Sequence, residues 1–267
     1  MKAEKVIYWS DELNDDFAGN DITTTKVGAD FKFIRRGVIW RIFAFIAYYV
    51  IAVPLVYLVS KLYLGLKFEN RKAVKKVGKS GFFLYGNHTR GLDAFIPAMA
   101  SFPKKAYVIA NPDAVSIPLL KHFVMMIGCL PIPTELDGMR GFLAAVRERY
   151  AEGGAIGIYP EAHIWPFYTG IRNFRDVSFR YPVEEKAPVI VMVTTFRKRR
   201  GLFALAKKPG MTVTLSEPMY PDPSLPPREA KRELRDRAYD FMVKTSEEKG
   251  NVEYIKYVKK GAVKKVQ

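Results

Sequence analysis

Cysteine is nearly absent: Cys129 is the single one in 267 residues. One thiol excludes an internal disulfide framework, a cysteine-based zinc site and a thioredoxin-type pair, and it fits a reducing compartment. Histidine is scarce as well, with three copies, and no H-E-x-x-H or Cys/His spacing gathers them into a metal site. The chain has no G-x-G-x-x-G, no Walker-type loop and no G-x-S-x-G elbow, so dinucleotide binding, P-loop chemistry and the serine-hydrolase scheme lack their usual signals. Internal repeats and low-complexity blocks are missing too. Hydrophobic residues make up 49% and aromatics 13%, which excludes a disordered or collagen-like chain.

Negative charge is in short supply: 27 Asp and Glu stand against 43 Lys and Arg, a formal net of +16. The acids are also unevenly placed. Residues 1–34 carry a local net of −3, leaving +19 on the remainder. A surplus of that size attracts an anionic partner: a membrane surface, an acidic protein or nucleic acid. No nucleic-acid-binding signature accompanies it, so nucleic acid is not expected as a partner. The expected organisation is an acidic extension (1–34), a membrane anchor (35–70), a soluble domain (71–250) and a basic tail (251–267). Lys264 and Lys265 fall in that tail, whose residues 260–267 are expected to be loose.

From Ile42 to Ser60 no residue is charged. As a straight helix this stretch would be about 28 Å long, close to the ~30 Å hydrocarbon core of a bilayer. Arg35, Arg36 and Arg41 flank one end, and Lys61, Lys67, Arg71 and Lys72 flank the other. Like-signed flanks disfavour a simple crossing. Pro54 lies where a break would make two short helices. The expectation is a helical hairpin, monotopic or single-pass, with the protein on the cytoplasmic face of the cell membrane. Trp40, Tyr48, Tyr49, Tyr57 and Tyr63 suit the headgroup boundary.

Beyond the anchor, short apolar runs alternate with helical stretches. Gly81–Tyr85, Ala106–Ala110, Ala155–Tyr159, Pro188–Val193 and Met211–Leu215 read as strands, several of them apolar on both faces. Ser116 is an expected N-cap of a helix that Gly128 stops, and Asp137 of a second that runs to Tyr150. Ala230, Leu234, Ala238, Phe241 and Thr245 mark the inner face of a long helix after Pro227. The alternation predicts an α/β fold, a mixed sheet sandwiched by helices.

Immediately after the first of these strands the chain reads GNHTRGLD. Histidine is the side chain whose ordinary pKa lies near neutrality, and a carboxylate on one nitrogen of the His88 ring would fix its tautomer and leave the other as a base. If Gly91 turns the loop and Leu92 opens a helix, Asp93 reaches back to His88. This stretch resembles the glycerolipid acyltransferase family of lysophosphatidic acid acyltransferases, whose signature begins N-H-x-x-x-x-D. Asn87, His88 and Asp93 match that block. Gly128 to Thr134 matches the second block in place, with Thr134 where the family has arginine. Tyr159, Pro160 and Glu161 open the third block, and Ala162, His163 and Ile164 depart from its Gly-Thr-Arg. Ala187 and Pro188 before the apolar strand match the fourth.

The resemblance implies direct acyl transfer from a thioester to a lipid hydroxyl. His88 is then the general base and Asp93 its partner, with no covalent nucleophile and no cofactor beyond acyl-carrier-protein or coenzyme A thioester as co-substrate. Cys129 is read as an inert core residue. In the family the two arginines bind the acceptor's phosphate; here Arg140, Arg172 and Arg175 stand a few residues from their positions. The expected substrate-binding set is Asn87, Arg90, Gly91, Thr134, Arg140, Pro160, Glu161 and Arg172. Expected partners are anionic membrane lipids, a lysophospholipid acceptor and the acyl donor. Alternatives are a phosphate-free lysolipid acceptor, hydrolysis of the thioester, and a basic membrane-associated scaffold without catalysis.

Overall fold

The structure, a computed structural model, describes residues 5–19, 22–201 and 204–261. Its centre is a seven-stranded sheet in the order β2-β8-β7-β3-β6-β4-β5. The strands are β2 (Lys67–Glu69), β3 (Phe82–Gly86), β4 (Ala106–Ala110), β5 (Cys129–Pro131), β6 (Ala155–Ile158), β7 (Val189–Arg197) and β8 (Gly210–Leu215). Only the β7–β8 pair is antiparallel. The mixed α/β sandwich is the expected one.

Its layers follow from the two-residue period of a strand. On β3, Phe83 and Tyr85 join one core and Phe82 and Leu84 the other; on β7, Val189, Val191 and Val193 alternate with Ile190 and Met192 in the same way. The first core is closed by Phe142, Ala145 and Val146 of α5 (Met139–Ala151) and by Leu234, Ala238 and Met242 of α7 (Pro227–Glu248). The second is closed by Ile96 and Ala100 of α3 (Ile96–Ser101) and by Val74 and Val77 of a 3-10 turn. Both faces are covered, and the strands accordingly read as continuous apolar runs.

The apolar segment is one continuous helix from Val38 to Leu62. It comprises α1 (Val38–Phe45), a π-helical stretch (Ile46–Ala52) and α2 (Val53–Leu62). The expected hairpin is therefore corrected: Pro54 does not break the chain. It sits in the first turn of α2, directly after the π stretch, whose wider turn makes room for a ring that would clash with the carbonyl four residues back in an α turn. Ala44, Ala47, Tyr48, Ala52 and Ser60 are buried against the domain, on α3 and α4 (Lys121–Met126). Tyr48 Oη accepts the backbone N–H of Ala106 at 2.8 Å. The outer face, which includes Ile42, Phe43, Val50, Leu55, Leu58 and Leu62, is exposed.

Two helix starts differ from expectation. Ser116 caps nothing: its Oγ accepts the backbone N–H of Thr25, and α4 begins only at Lys121. Asp137 lies in a 3-10 turn, and α5 starts at Met139 without a side-chain cap. Gly128 does end α4, and only glycine fits there. Its φ is +107°, and a Cβ would lie 2.3 Å from the carbonyl oxygen of Ala106.

The acidic extension is packed onto the domain. Val27 and Phe33 are buried in the first core, and β1 (Lys5–Trp9) pairs in parallel with β9 (Ile255–Lys259) from the far end of the chain. Residues 255–259 of the expected tail are thus a strand, whereas Lys264 and Lys265 lie outside the described residues.

Candidate active site

β3 ends at Gly86, and the loop that follows is tied down on each side. Asn87, fully buried, spans to β7 with both ends of its amide: Nδ2 donates to the Thr194 carbonyl at 3.0 Å and Oδ1 accepts the Thr194 N–H at 2.8 Å. His88 follows with 14% of its side chain exposed. Its imidazole stacks on the Tyr159 ring at 4.5 Å between centroids, and the Tyr159 hydroxyl donates to the backbone carbonyl of Asp93.

Asp93 is fully buried. Its Oδ2 accepts the backbone N–H groups of Thr89 and Arg90 at 2.6 and 2.7 Å and the Thr89 hydroxyl at 3.2 Å. His88 Nδ1 is 3.4 Å from the same oxygen. A full charge-assisted bond is shorter, and such contacts are commonly long before substrate binds. With Nδ1 turned to Asp93, Nε2 is the nitrogen on the other side of the ring. The return from Gly91 to Asp93 is made by a 3-10 turn (Gly91–Phe95), and α3 starts after it.

The Tyr159-Pro160-Glu161 stretch leaves β6 beside this loop. Glu161 Oε2 accepts the backbone N–H of His88 at 3.0 Å, and Oε1 accepts the N–H of Arg172 at 3.0 Å. The Arg172 guanidinium lies 3.2 Å from Oε2, with both side chains at most 2% exposed. Burial pushes the Glu161 carboxyl above its ordinary range, and the guanidinium and the two N–H groups oppose that rise. Backbone bonds from Trp165 N to His88 O and from Phe167 N to Thr89 O join the two loops. Ala162, where the resembled family has glycine, takes φ +64°, a conformation that costs a residue with a Cβ roughly 1–2 kcal/mol.

The two chain ends close over this loop. Trp165, fully buried, donates from Nε1 to the Asp15 carbonyl at 2.7 Å and stacks on Tyr257 at 5.1 Å. Trp9 and Phe17 complete the aromatic cluster. Arg172 Nη1 reaches the Glu12 carbonyl, and His163 Nδ1 lies 3.6 Å from Asp16.

Of the residues singled out from sequence, Asn87, His88, Arg90, Gly91, Asp93, Pro160, Glu161 and Arg172 come together on the two joined loops. Arg172 is committed to Glu161 and faces no open space. Thr134 and Arg140 are elsewhere. Both follow the edge strand β5, from which β4 and β6 separate β3. Thr134 Oγ1 accepts the Val27 N–H, binding the acidic extension, and Arg140 is exposed on α5. Cys129 packs against the first core, and burial pushes its thiol up to about 12. Sequence reasoning missed Tyr159 as a platform for the imidazole and Thr194 as the anchor of Asn87. An aromatic directly after a strand was the available signal for the first; nothing local marks the second.

The Acyltransferase family profile matches residues 65–214, a span that holds both loops. No curated protein matches the chain. Among solved structures, the fold is similar to the 1-acyl-sn-glycerophosphate (LPA) acyltransferase PlsC from Thermotoga maritima. The TM-score is 0.51 at 16% identity, over 80% of this chain and 95% of that one. At that identity the likeness is one of fold. The profile match extends over more than half of the sequence, and the chain belongs to the Acyltransferase family.

Proposed function

We propose that the protein transfers a fatty acyl group from a thioester, carried by coenzyme A or acyl carrier protein, to the free hydroxyl of lysophosphatidate, giving phosphatidate. The observation that carries this reading is His88, with Nδ1 facing the buried Asp93 carboxylate and its ring held flat on Tyr159. Nε2 of His88 takes the acceptor hydroxyl's proton as the oxygen attacks the thioester carbonyl carbon. Asp93 holds the ring and balances the imidazolium. Collapse of the tetrahedral intermediate breaks the C–S bond, and the thiolate leaves with the proton from His88. A base so placed contributes roughly 10²–10⁴-fold in rate.

The exposed apolar face of the Val38–Leu62 helix supports insertion into a bilayer, since a patch of this extent is not left in water by a monomeric soluble protein. Its inner face is packed along the domain from α1 to α2, which favours a monotopic seat over a free crossing; the cytoplasmic face is proposed from the basic residues that flank the helix at both ends. The basic surface then rests on anionic lipid headgroups.

The test is turnover by purified protein in anionic vesicles, with acyl-coenzyme A and acyl-carrier-protein donors and products identified by mass. Phosphatidate made by wild type and lost in His88→Ala is the expected result; free fatty acid with no acylated lipid would overturn it. A phosphate-free lysolipid is the second reading, favoured by Thr134 in place of arginine and by the withdrawal of Arg172, and it belongs in the same assay.

A further inference from the structure

Four basic side chains gather where the apolar helix ends against the β7–β8 hairpin: Arg90, Arg197, Arg199 and Lys208. Two are occupied. Arg199 donates to the carbonyls of Leu62, Tyr63 and Lys208, and Arg197 to Gly65 O and to Thr212 Oγ1. Arg199 caps the end of α2, whose last carbonyls have no helical partner, and Arg197 ties the turn after it to β8.

Arg90 and Lys208 are differently placed. The Arg90 guanidinium lies over the rings of Phe167 at 4.7 Å and Tyr63 at 5.8 Å and makes a weak contact to Met211 Sδ at 3.6 Å. Lys208 Nζ donates to the Tyr63 hydroxyl at 3.0 Å. Among the described residues no carboxylate is in ion-pair range of either, and none exists in the sequence from 187 to 216. Asp93, close by, binds the backbone N–H of Arg90 rather than its guanidinium. Burial also pulls the Arg90 guanidinium below its ordinary range, although a guanidinium stays charged at any working pH. Asp93's charge and the Tyr63 hydroxyl oppose that fall, but neither forms an ion pair with the guanidinium, and a half-buried cation with aromatic walls and no ion-paired carboxylate is a seat for an anion.

The seat lies beside the imidazole. Arg90 stands two residues after His88 on the same loop, so their Cα atoms are at most about 7 Å apart. In lysophosphatidate the phosphate stands roughly 5 Å from the free hydroxyl, and a long arginine side chain spans the remaining distance.

We propose that Arg90, Lys208 and the Tyr63 hydroxyl bind the phosphate monoester of the acceptor lipid, in place of the arginines missing at Thr134 and Ile164. The assignment rests on lysophosphatidate being the acceptor. The planar fork of Arg90 takes two phosphate oxygens, Lys208 supplies a point charge, and Tyr63 carries the site on the very end of the membrane helix. The acceptor's headgroup is thereby held at the depth where its acyl chain enters the bilayer.

The experiment measures kcat and KM of wild type, Arg90→Gln, Arg90→Lys and Lys208→Gln with lysophosphatidate and with monoacylglycerol, beside direct calorimetric binding of lysophosphatidate. The expected result is a roughly 10- to 100-fold fall in the lysophosphatidate-to-monoacylglycerol ratio of kcat/KM, carried by KM, with partial rescue by Arg90→Lys. An unchanged ratio, or an equal loss with both acceptors, overturns the proposal. An acyl-pantetheine donor separates the phosphates of coenzyme A: if the defect vanishes with it, the site serves the donor and the proposal fails. Phosphatidylglycerol vesicles and inorganic phosphate separate bilayer headgroups and free phosphate; loss of vesicle binding alone overturns it. A wild type that binds lysophosphatidate through Arg90 yet never acylates it keeps the site and removes the proposed reaction.

Discussion

The carboxylate of Glu161 holds the backbone N–H of His88 at 3.0 Å, across 73 residues of sequence. The acid after β6 and the imidazole after β3 therefore share one rigid unit, in which Glu161 is a positioning group and Arg172 its counter-charge. The rates and stabilities of variants along this chain of contacts should separate accordingly.

His88→Ala should lower kcat by about 10²–10⁴-fold with a smaller loss of thermal stability than at Asp93, because the ring keeps 14% of its surface exposed and its contact to Asp93 is long, at 3.4 Å. Asp93→Asn should lose a similar factor and also unfold earlier, since its carboxylate accepts two backbone N–H groups in a fully buried setting. Single-turnover kinetics beside thermal melts distinguish the two.

Removal of Arg172 leaves the Glu161 charge buried and unpaired. Arg172→Ala should cost about 3–5 kcal/mol by denaturant titration. Glu161→Gln, which keeps an acceptor for the His88 N–H, should cost less in activity than Glu161→Ala. Equal losses for Gln and Ala would show that shape, not the hydrogen bond, is what matters.

Cys129 should resist alkylation. With its thiol pushed up to about 12, the thiolate fraction at pH 8 is about 10³-fold below that of an ordinary cysteine. The sign is direct: the iodoacetamide rate should climb tenfold per pH unit without a plateau up to pH 10, and in guanidinium chloride it should return to the ordinary value. A plateau near pH 8.5 in the native protein would contradict the burial.

Trp165→Ala should destabilise by about 3–5 kcal/mol, as for other fully buried large side chains. Deletion of residues 1–19 removes Trp9, Phe17 and the Asp15 carbonyl from the same cluster. The two changes combined should cost less than their sum, because they break the same contacts. Additive costs would mean that the chain ends are not packed on Trp165 in solution.

The residues themselves determined the layered α/β architecture, the apolar helix and the His88–Asp93 pairing. Each is a local signal: doubly apolar strands, an uncharged run from Ile42 to Ser60, a base and an acid five positions apart after a strand. What lay beyond reach is long-range. Pro54 reads as a break, but a π turn placed before it keeps the helix whole. Arg172 reads as a substitute phosphate ligand, but Glu161, eleven residues away, takes its charge into the interior. The acidic N-terminus carries no local signal that decides between covering the domain and lying loose; it pairs with the last strand and seals Trp165. Periodicity and motif spacing report which residue types adjoin along the chain. Which charges are neutralised, and which, like Arg90, are left without an ion-paired carboxylate, is decided by packing between segments that local pattern does not encode.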